Sequence, residues 1–264
     1  MSNDINMAGP WVTDHEAQLV LEAMRNGWYG PKQYWYVETF ERAFADYMKV
    51  PHALAVTSGT AALRVALAVL DLQPGDEVIT TPFTFAATAE MIVLAGGKPV
   101  FVDVEPDTCN LNAALIEAKV TPRTKAIMPV SLYGQVADMD ELNALASRHG
   151  LAVIEDAAQS FGASYRGLRS CGLSTWGCTS FFPSKPLGCY GDGGAILTDD
   201  AELAAILKSL RVHGQGMDKY DNVRIGVNSR LDTLQAAILM CKLDIFADEI
   251  EKRQVVAARY TKAL

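Results

Sequence analysis

An α/β fold with a mostly parallel central sheet flanked by helices is what this sequence predicts, and three observations point to it. Short β-rich runs alternate with helical segments along the 264 residues, a rhythm that requires crossover connections. Half of the residues are hydrophobic, enough to bury a large core as one big domain or one plus a part. Several apolar runs end in polar or glycine-rich turns, and open α/β sheets bind ligands beyond such strand ends.

The elements follow in order. "VTDHEAQLVLEAM" sets Thr13 and Glu16 at capping-box spacing ahead of apolar residues at helical intervals. "YVETFERAFADYM" is a second amphipathic helix. "HALAVTSGTAALRVALAVL" reads as a strand, a tight turn at Ser58, Gly59 and Thr60, and a buried helix. Then come strand "DEVITT", helix "FAATAEMIVLAG", strand "KPVFVDV", helix "ALIEAKVT" and strand "TKAIMPVSLYG". "DMDELNALASRHG" is a helix with an acidic start and a glycine stop, as the macrodipole and the C-terminal cap prefer. "LAVIEDAA" and "GGAILTDD" are strands, and "AELAAILKSLR" is a helix. The last segment, from Thr233, is one long helical pattern that runs to Leu264 and suggests that more protein normally follows.

Net charge is −8, which argues against a nucleic-acid or anionic-membrane surface. No apolar segment reaches the ~20 residues of a membrane span, and the N-terminus lacks the basic and apolar regions of a signal peptide. The five cysteines, Cys109, Cys171, Cys178, Cys189 and Cys241, have no CxxC spacing and read as reduced thiols of a cytoplasmic protein. His15, His52 and His149 have no metal-ligand spacing, so no metal site is expected. His213 reads as a polar loop histidine that could approach substrate. Trp28, Tyr29 and Gly30 form an aromatic loop suited to a pocket border or a subunit interface.

Three polar features fall at predicted strand ends. In "TSGTAAL", small residues open a helix whose N-terminal amides and partial positive charge suit an anion, with the Thr60 hydroxyl as a further donor. In "LAVIEDAAQS", Glu155 and Asp156 close an apolar strand, and alternation lets only one of them face a given ligand. In "TSFFPSKPLGCYGDGGA", Lys185 is the sole charge from Ser170 to Gly191, held in a loop by Pro186 and several glycines. Apolar surroundings favour the neutral amine that a Schiff-base lysine needs. Each feature alone has a plainer reading: an N-cap turn, a carboxylate bonded to an arginine or a helix cap, a lysine reaching solvent. Together they describe one ligand with a phosphate, an aromatic cation and an aldehyde, which are the parts of pyridoxal 5′-phosphate (PLP). Phe83 or Phe85 in "PFTFAATAE" offers a stacking face for its ring.

The motifs "SGTAAL", "PFTFAAT", "EDAAQSFGA", "SFFPSKPLGCYGDGGA" and "GVNSRLDTLQAAIL" occur in that order. In them the chain resembles the fold-type I PLP-dependent nucleotide-sugar aminotransferases of the DegT/StrS type, from about "GPWVTDHE" to its end. The resemblance implies that Gly59, Thr60 and Ser180 bind the cofactor phosphate and that Phe85 stacks on the ring. It assigns Asp156 to the ring nitrogen, Gln159 to the ring's hydroxyl side and Lys185 to the cofactor aldehyde. Asn228 would reach the phosphate of a neighbouring subunit and Arg230 would contact substrate across that interface, so a homodimer with shared active sites is expected. L-glutamate would be the amino donor and a nucleotide-linked keto sugar the acceptor. The middle of the chain is most similar to enzymes that aminate UDP-2-acetamido-2-deoxy-3-oxo-glucuronate for surface polysaccharide, while the N-terminal segment is more like other branches. Another UDP-, dTDP- or GDP-keto-sugar aminotransferase, or a PLP-binding regulatory homologue without catalysis, is the alternative. Residues 1–240 would then form the fold-type I large domain. Residues 241–264 would begin a long helix leading to a C-terminal small domain that is absent or truncated here.

Overall fold

A computed structural model describes residues 12–26, 34–218 and 220–264. The expected aromatic loop at Trp28, Tyr29 and Gly30 lies outside them. The described strands are β1 (His52–Val56), β2 (Glu77–Thr80), β3 (Lys98–Phe101), β4 (Thr124–Ile127), β5 (Ala152–Asp156), β6 (Ser164–Tyr165), β7 (Leu168–Arg169), β8 (Trp176–Ser180) and β9 (Gly194–Thr198). The helices are α1 (Asp14–Asn26), α2 (Trp35–Met48), α3 (Gly59–Ala68), α4 (Ala87–Leu94), α5 (Met139–His149), α6 (Ala201–Leu210) and α7 (Thr233–Ala263).

Seven strands form one sheet in the order β1-β9-β8-β5-β4-β2-β3, and β6 and β7 pair as a separate hairpin. Neighbours in the large sheet run parallel except β9, which is antiparallel to both β1 and β8. The α/β class and the mostly parallel sheet are therefore as the sequence predicts. Strand alternation sorts the core into two layers. Leu54, Val56, Val78, Ala126, Ile154 and Ile196 pack with the helices α3, α4 and α6. Ala55, Ala195 and Leu197 turn the other way, toward α2 and α7. On that second side Phe40, Phe44, Phe161, Phe181 and Phe246 form an aromatic cluster with centroids 5.0–6.5 Å apart. Phe161 and Phe181 each follow closely on a strand, β5 and β8, so the cluster fixes where those strands end.

Local departures have local causes. "ALIEAKVT" forms two short 3₁₀ turns, Ala113–Leu115 and Glu117–Lys119, rather than a helix. Asn112 caps the first at the Ala114 amide, and Pro122 follows too soon for a helix to propagate. The strand expected to run to Gly134 stops at Ile127, because Pro129 has no N–H for a ladder and Tyr133 turns to φ +55°. β8 was not expected at all. All five of its residues are buried, so it shows no alternation.

The capping box at the start of α1 has a second use. Glu16 accepts the Thr13 amide at 2.8 Å and the Thr13 hydroxyl, but it also meets Lys242 of α7 at 2.9 Å, with both side chains almost fully buried. Burial pushes the Glu16 carboxyl up, and the bonds from Thr13 and Lys242 outweigh it and hold the pKa at about 2, below the ordinary 4.5. Lowered pKa means that this stabilisation is complete above pH 4.5 and fades as pH falls toward 2. Lys242→Met is expected to cost about 3–5 kcal/mol in chemical denaturation at pH 7, because it leaves a buried carboxylate without its counter-charge. Adding Glu16→Gln to it should restore part of the loss.

Candidate active site

The parallel strands β1, β2, β4, β5 and β8 all end on one edge of the sheet. β9, running the other way, begins there: Gly194 pairs with both Val56 and Ser180. Ser58 caps α3 through its hydroxyl, which accepts the Ala61 amide at 3.0 Å. The amides of Gly59 and Thr60 precede that cap bond and have no intrahelical acceptor. A Cβ on Gly59 would sit 2.7 Å from the Ser180 Cβ, and one on Gly194 would sit 2.5 Å from the Ser58 carbonyl carbon. Both glycines are thus required by close approach. Gly59, Thr60 and Ser180 come together as one cradle, with Thr60 exposed and Ser180 nearly buried.

Glu155 and Asp156 take opposite faces of β5 and have different partners. Asp156 lies toward α4, where its Oδ2 accepts the Thr88 hydroxyl at 2.8 Å and its Oδ1 the Ala158 amide at 3.2 Å. Burial raises its pKa, and the Thr88 and Ala158 bonds and the positive charge of Lys185 pull it back down. Glu155 points to the other side. It accepts Ser170 Oγ at 2.7 Å, the Cys171 amide at 2.8 Å and Ser131 Oγ at 3.3 Å, which ties the segment after β7 to the sheet. Burial raises its pKa too, against the Ser170, Cys171 and Ser131 bonds that lower it, and its role is structural. The Cys171 and Cys178 thiols lie near this pair, and burial lifts both well above the ordinary thiol range, which makes them poor nucleophiles.

Lys185 rides the loop between β8 and β9. That loop is pinned by backbone bonds from Phe181 to Gly193 (2.7 Å), Lys185 to Phe182 (2.8 Å) and Cys189 to Phe181 (2.8 Å). The Tyr190 amide adds a bond to the Gln235 side chain of α7 at 3.0 Å. Lys185 is half-buried rather than enclosed, because Phe182 and Ser184 beside it face outward. The apolar surroundings expected for it are therefore partial.

An aromatic rim borders the same edge. Phe85 is 71% exposed, and Phe83 meets Tyr133 edge-on at 6.2 Å. Gln159 Oε1 accepts the Tyr133 amide at 3.2 Å. An N–H can only donate, so the Gln159 NH₂ is left to face another partner. Asn228 and Arg230 lie beside the same edge: Arg230 bridges Val56 at the end of β1, and the Thr57 amide donates to the Ser229 carbonyl at 3.0 Å. They line an open cleft of about 860 Å³ with Thr57, Arg211 and Gln215. His213 is an exposed left-handed turn residue whose carbonyl accepts Asn222 Nδ2. Sequence reasoning missed Thr88, whose partner lies far along the chain.

Known proteins share this arrangement. The model of the DegT/DnrJ/EryC1/StrS aminotransferase family matches residues 10–264. The UDP-2-acetamido-2-deoxy-3-oxo-D-glucuronate aminotransferase of Pseudomonas aeruginosa is 56% identical over 93% of this chain and 67% of its own length. A DegT/DnrJ/EryC1/StrS aminotransferase crystal structure from Brucella abortus superposes with a TM-score of 0.91 at 45% identity, over 95% of this chain and 69% of that one. Spr1654 of Streptococcus pneumoniae, solved in its PLP form, gives a TM-score of 0.90 at 27% identity, over 98% of this chain and 71% of that one. The chain spans 60–70% of the length of the first curated relatives it matches. A family match over residues 10–264 and a relative 56% identical over 93% of the chain show that the chain belongs to the DegT/DnrJ/EryC1/StrS aminotransferase family.

Proposed function

We propose that this protein is a PLP-dependent aminotransferase that moves the amino group of L-glutamate to a nucleotide-linked keto sugar, with UDP-2-acetamido-2-deoxy-3-oxo-D-glucuronate as the acceptor. One arrangement carries the reading: Asp156 at the end of β5, Ser180 at the end of β8 and the open amides of α3 share one edge of the sheet, and Lys185 sits on the loop that follows β8. The 56% identity to the Pseudomonas aeruginosa enzyme supports the acceptor. The product would serve surface polysaccharide such as O-antigen or lipopolysaccharide, made in the cytoplasm. No described helix is long and apolar enough to cross a membrane.

The residues present fit PLP. Asp156 is a buried acid whose raised pKa a neighbouring cation would lower, and the Gly59–Ser180 approach leaves room only for backbone beside an anion. When bound, PLP supplies an aldehyde that takes up the amino group and a ring that draws electrons from the substrate Cα. Gly59, Thr60 and Ser180 hold its phosphate, and Phe85 covers one ring face. Asp156 holds the proton on the ring nitrogen, and Gln159 offers its NH₂ to the ring hydroxyl. Lys185 would hold the aldehyde carbon at rest and, once the amino donor has replaced it there, would carry the proton lost from the substrate Cα as base and then acid. Asn228 and Arg230 act across a homodimer, reaching the phosphate and the substrate of the neighbouring site. The exposed Met217, Tyr220, Val223 and Ile225 of the preceding segment support that division.

A spectral titration tests this. Purified protein with PLP should develop a visible absorbance band that L-glutamate bleaches and the UDP-3-oxo sugar restores. A band that glutamate leaves unchanged would mean cofactor binding without transamination, and the reading fails.

A further inference from the structure

We propose that Thr88, backed by Thr84, is a positioning residue that fixes the Asp156 carboxylate in line with the cofactor's ring nitrogen. The inference rests on the aminotransferase reading and deepens it. Thr88 is 1% exposed, in the first turn of α4, and its hydroxyl reaches a strand-end carboxylate 68 residues away in sequence. A helical threonine ordinarily bonds the carbonyl of the preceding turn. This one does not.

Donor counting gives the arrangement a direction. A hydroxyl has one proton, and an ionised carboxylate can only accept. Thr88 therefore spends its proton on Asp156 Oδ2 at 2.8 Å. Its 2.9 Å contact with Thr84 Oγ1 must then run the other way, with Thr84 donating. The chain Thr84 to Thr88 to Asp156 points every dipole at the carboxylate, and such aligned bonds strengthen one another at low dielectric. Ala158 N–H holds the other oxygen, at 3.2 Å. With both oxygens anchored, the carboxylate plane cannot turn. Thr84 also lies between Phe83 and Phe85, so the segment that presents the aromatic rim is the one that sets the acid's orientation.

Thr88→Val removes the hydroxyl and keeps the shape, and Thr88→Ser returns the hydroxyl. Apo protein of each is titrated with PLP by absorbance, the visible band is followed against pH, and circular dichroism checks the fold. Thr88→Val is expected to weaken PLP binding about tenfold, the usual effect of losing one bond to a charged group. It should also move the band's titration to higher pH, because a ring that withdraws less leaves the Lys185 nitrogen more basic. Thr88→Ser should restore both. Thr84→Val, which leaves the core bond in place, should shift both in the same direction by less, and it carries the test if Thr88→Val does not fold. Wild-type affinity and pH profile in a folded Thr88→Val would overturn the proposal. Absence of any band in the wild type would instead overturn the aminotransferase reading beneath it.

Discussion

Lys185→Ala is expected to lose transamination by at least about 10⁴-fold while the protein stays folded. Two losses coincide in that substitution. On the proposed reading, the amine that would bond the aldehyde is gone, and so is the acid–base group that would move the Cα proton, a contribution of roughly 10²–10⁴-fold by itself. Stability should hardly change, since the side chain is half-buried and the loop is pinned by backbone bonds that alanine retains. PLP should still bind through the phosphate cradle and Asp156, without the visible band. Adding a primary amine to this variant with glutamate should recover a small rate, because a diffusing base can replace the proton transfer. Full activity in Lys185→Ala would remove the lysine from the chemistry.

Asp156→Asn gives two expected effects of opposite sign. The rate should fall about 10²–10³-fold, the scale for losing one preorganised charge in a dry site. Heat resistance of the apo protein at neutral pH should rise. The sign follows from burial, which lifts the Asp156 pKa in the fold above its ordinary 3.8. A raised carboxyl favours the folded state when protonated, and that advantage is lost as pH climbs from 3.8 through the folded value. Asparagine stays neutral, still accepts the Thr88 hydroxyl and avoids the cost of a buried charge, which outweighs the Ala158 amide bond that its NH₂ cannot accept. Thermal unfolding of the two apo proteins at pH 5 and pH 8 checks this: the asparagine variant's advantage should be larger at pH 8. An equal or lower midpoint at pH 8 would mean that the carboxylate is well solvated and that the burial argument is wrong. Here function and stability pull against each other at a single atom.

What was legible in the sequence was what depends on neighbours along the chain. Ser58, Gly59 and Thr60 announced a strand-to-helix turn because small residues and an N-cap are local signals. Asp138 and Gly150 bounded α5 for the same reason. Lys185 stood out because twenty-one uncharged residues surround it from Ser170 to Gly191. What was not legible depends on partners distant in sequence. β8 hides its identity because a strand buried on both faces has no alternation, and Thr179 is the only β-branched residue of its five. "FAATAE" reads as an apolar helix start, with nothing to say that Thr88 meets Asp156. Glu155 and Asp156 were recognised as a pair, and only the direction of the strand's pleat separates the acid that faces the site from the acid that pins Ser170 and Cys171.

The reversed strand β9 has a consequence for the lysine. Had it run with its neighbours, the connection from β8 would need to travel the height of the sheet and return, and the amine could lie anywhere along that path. Because it runs backward, Ser180 and Gly194 are paired rungs, and residues 181–193 leave and re-enter the fold at one spot. The segment is a tethered arc with little chain to vary its reach. On the proposed reading, an amine that must let go of one carbon and find it again in every cycle would be kept on a short leash.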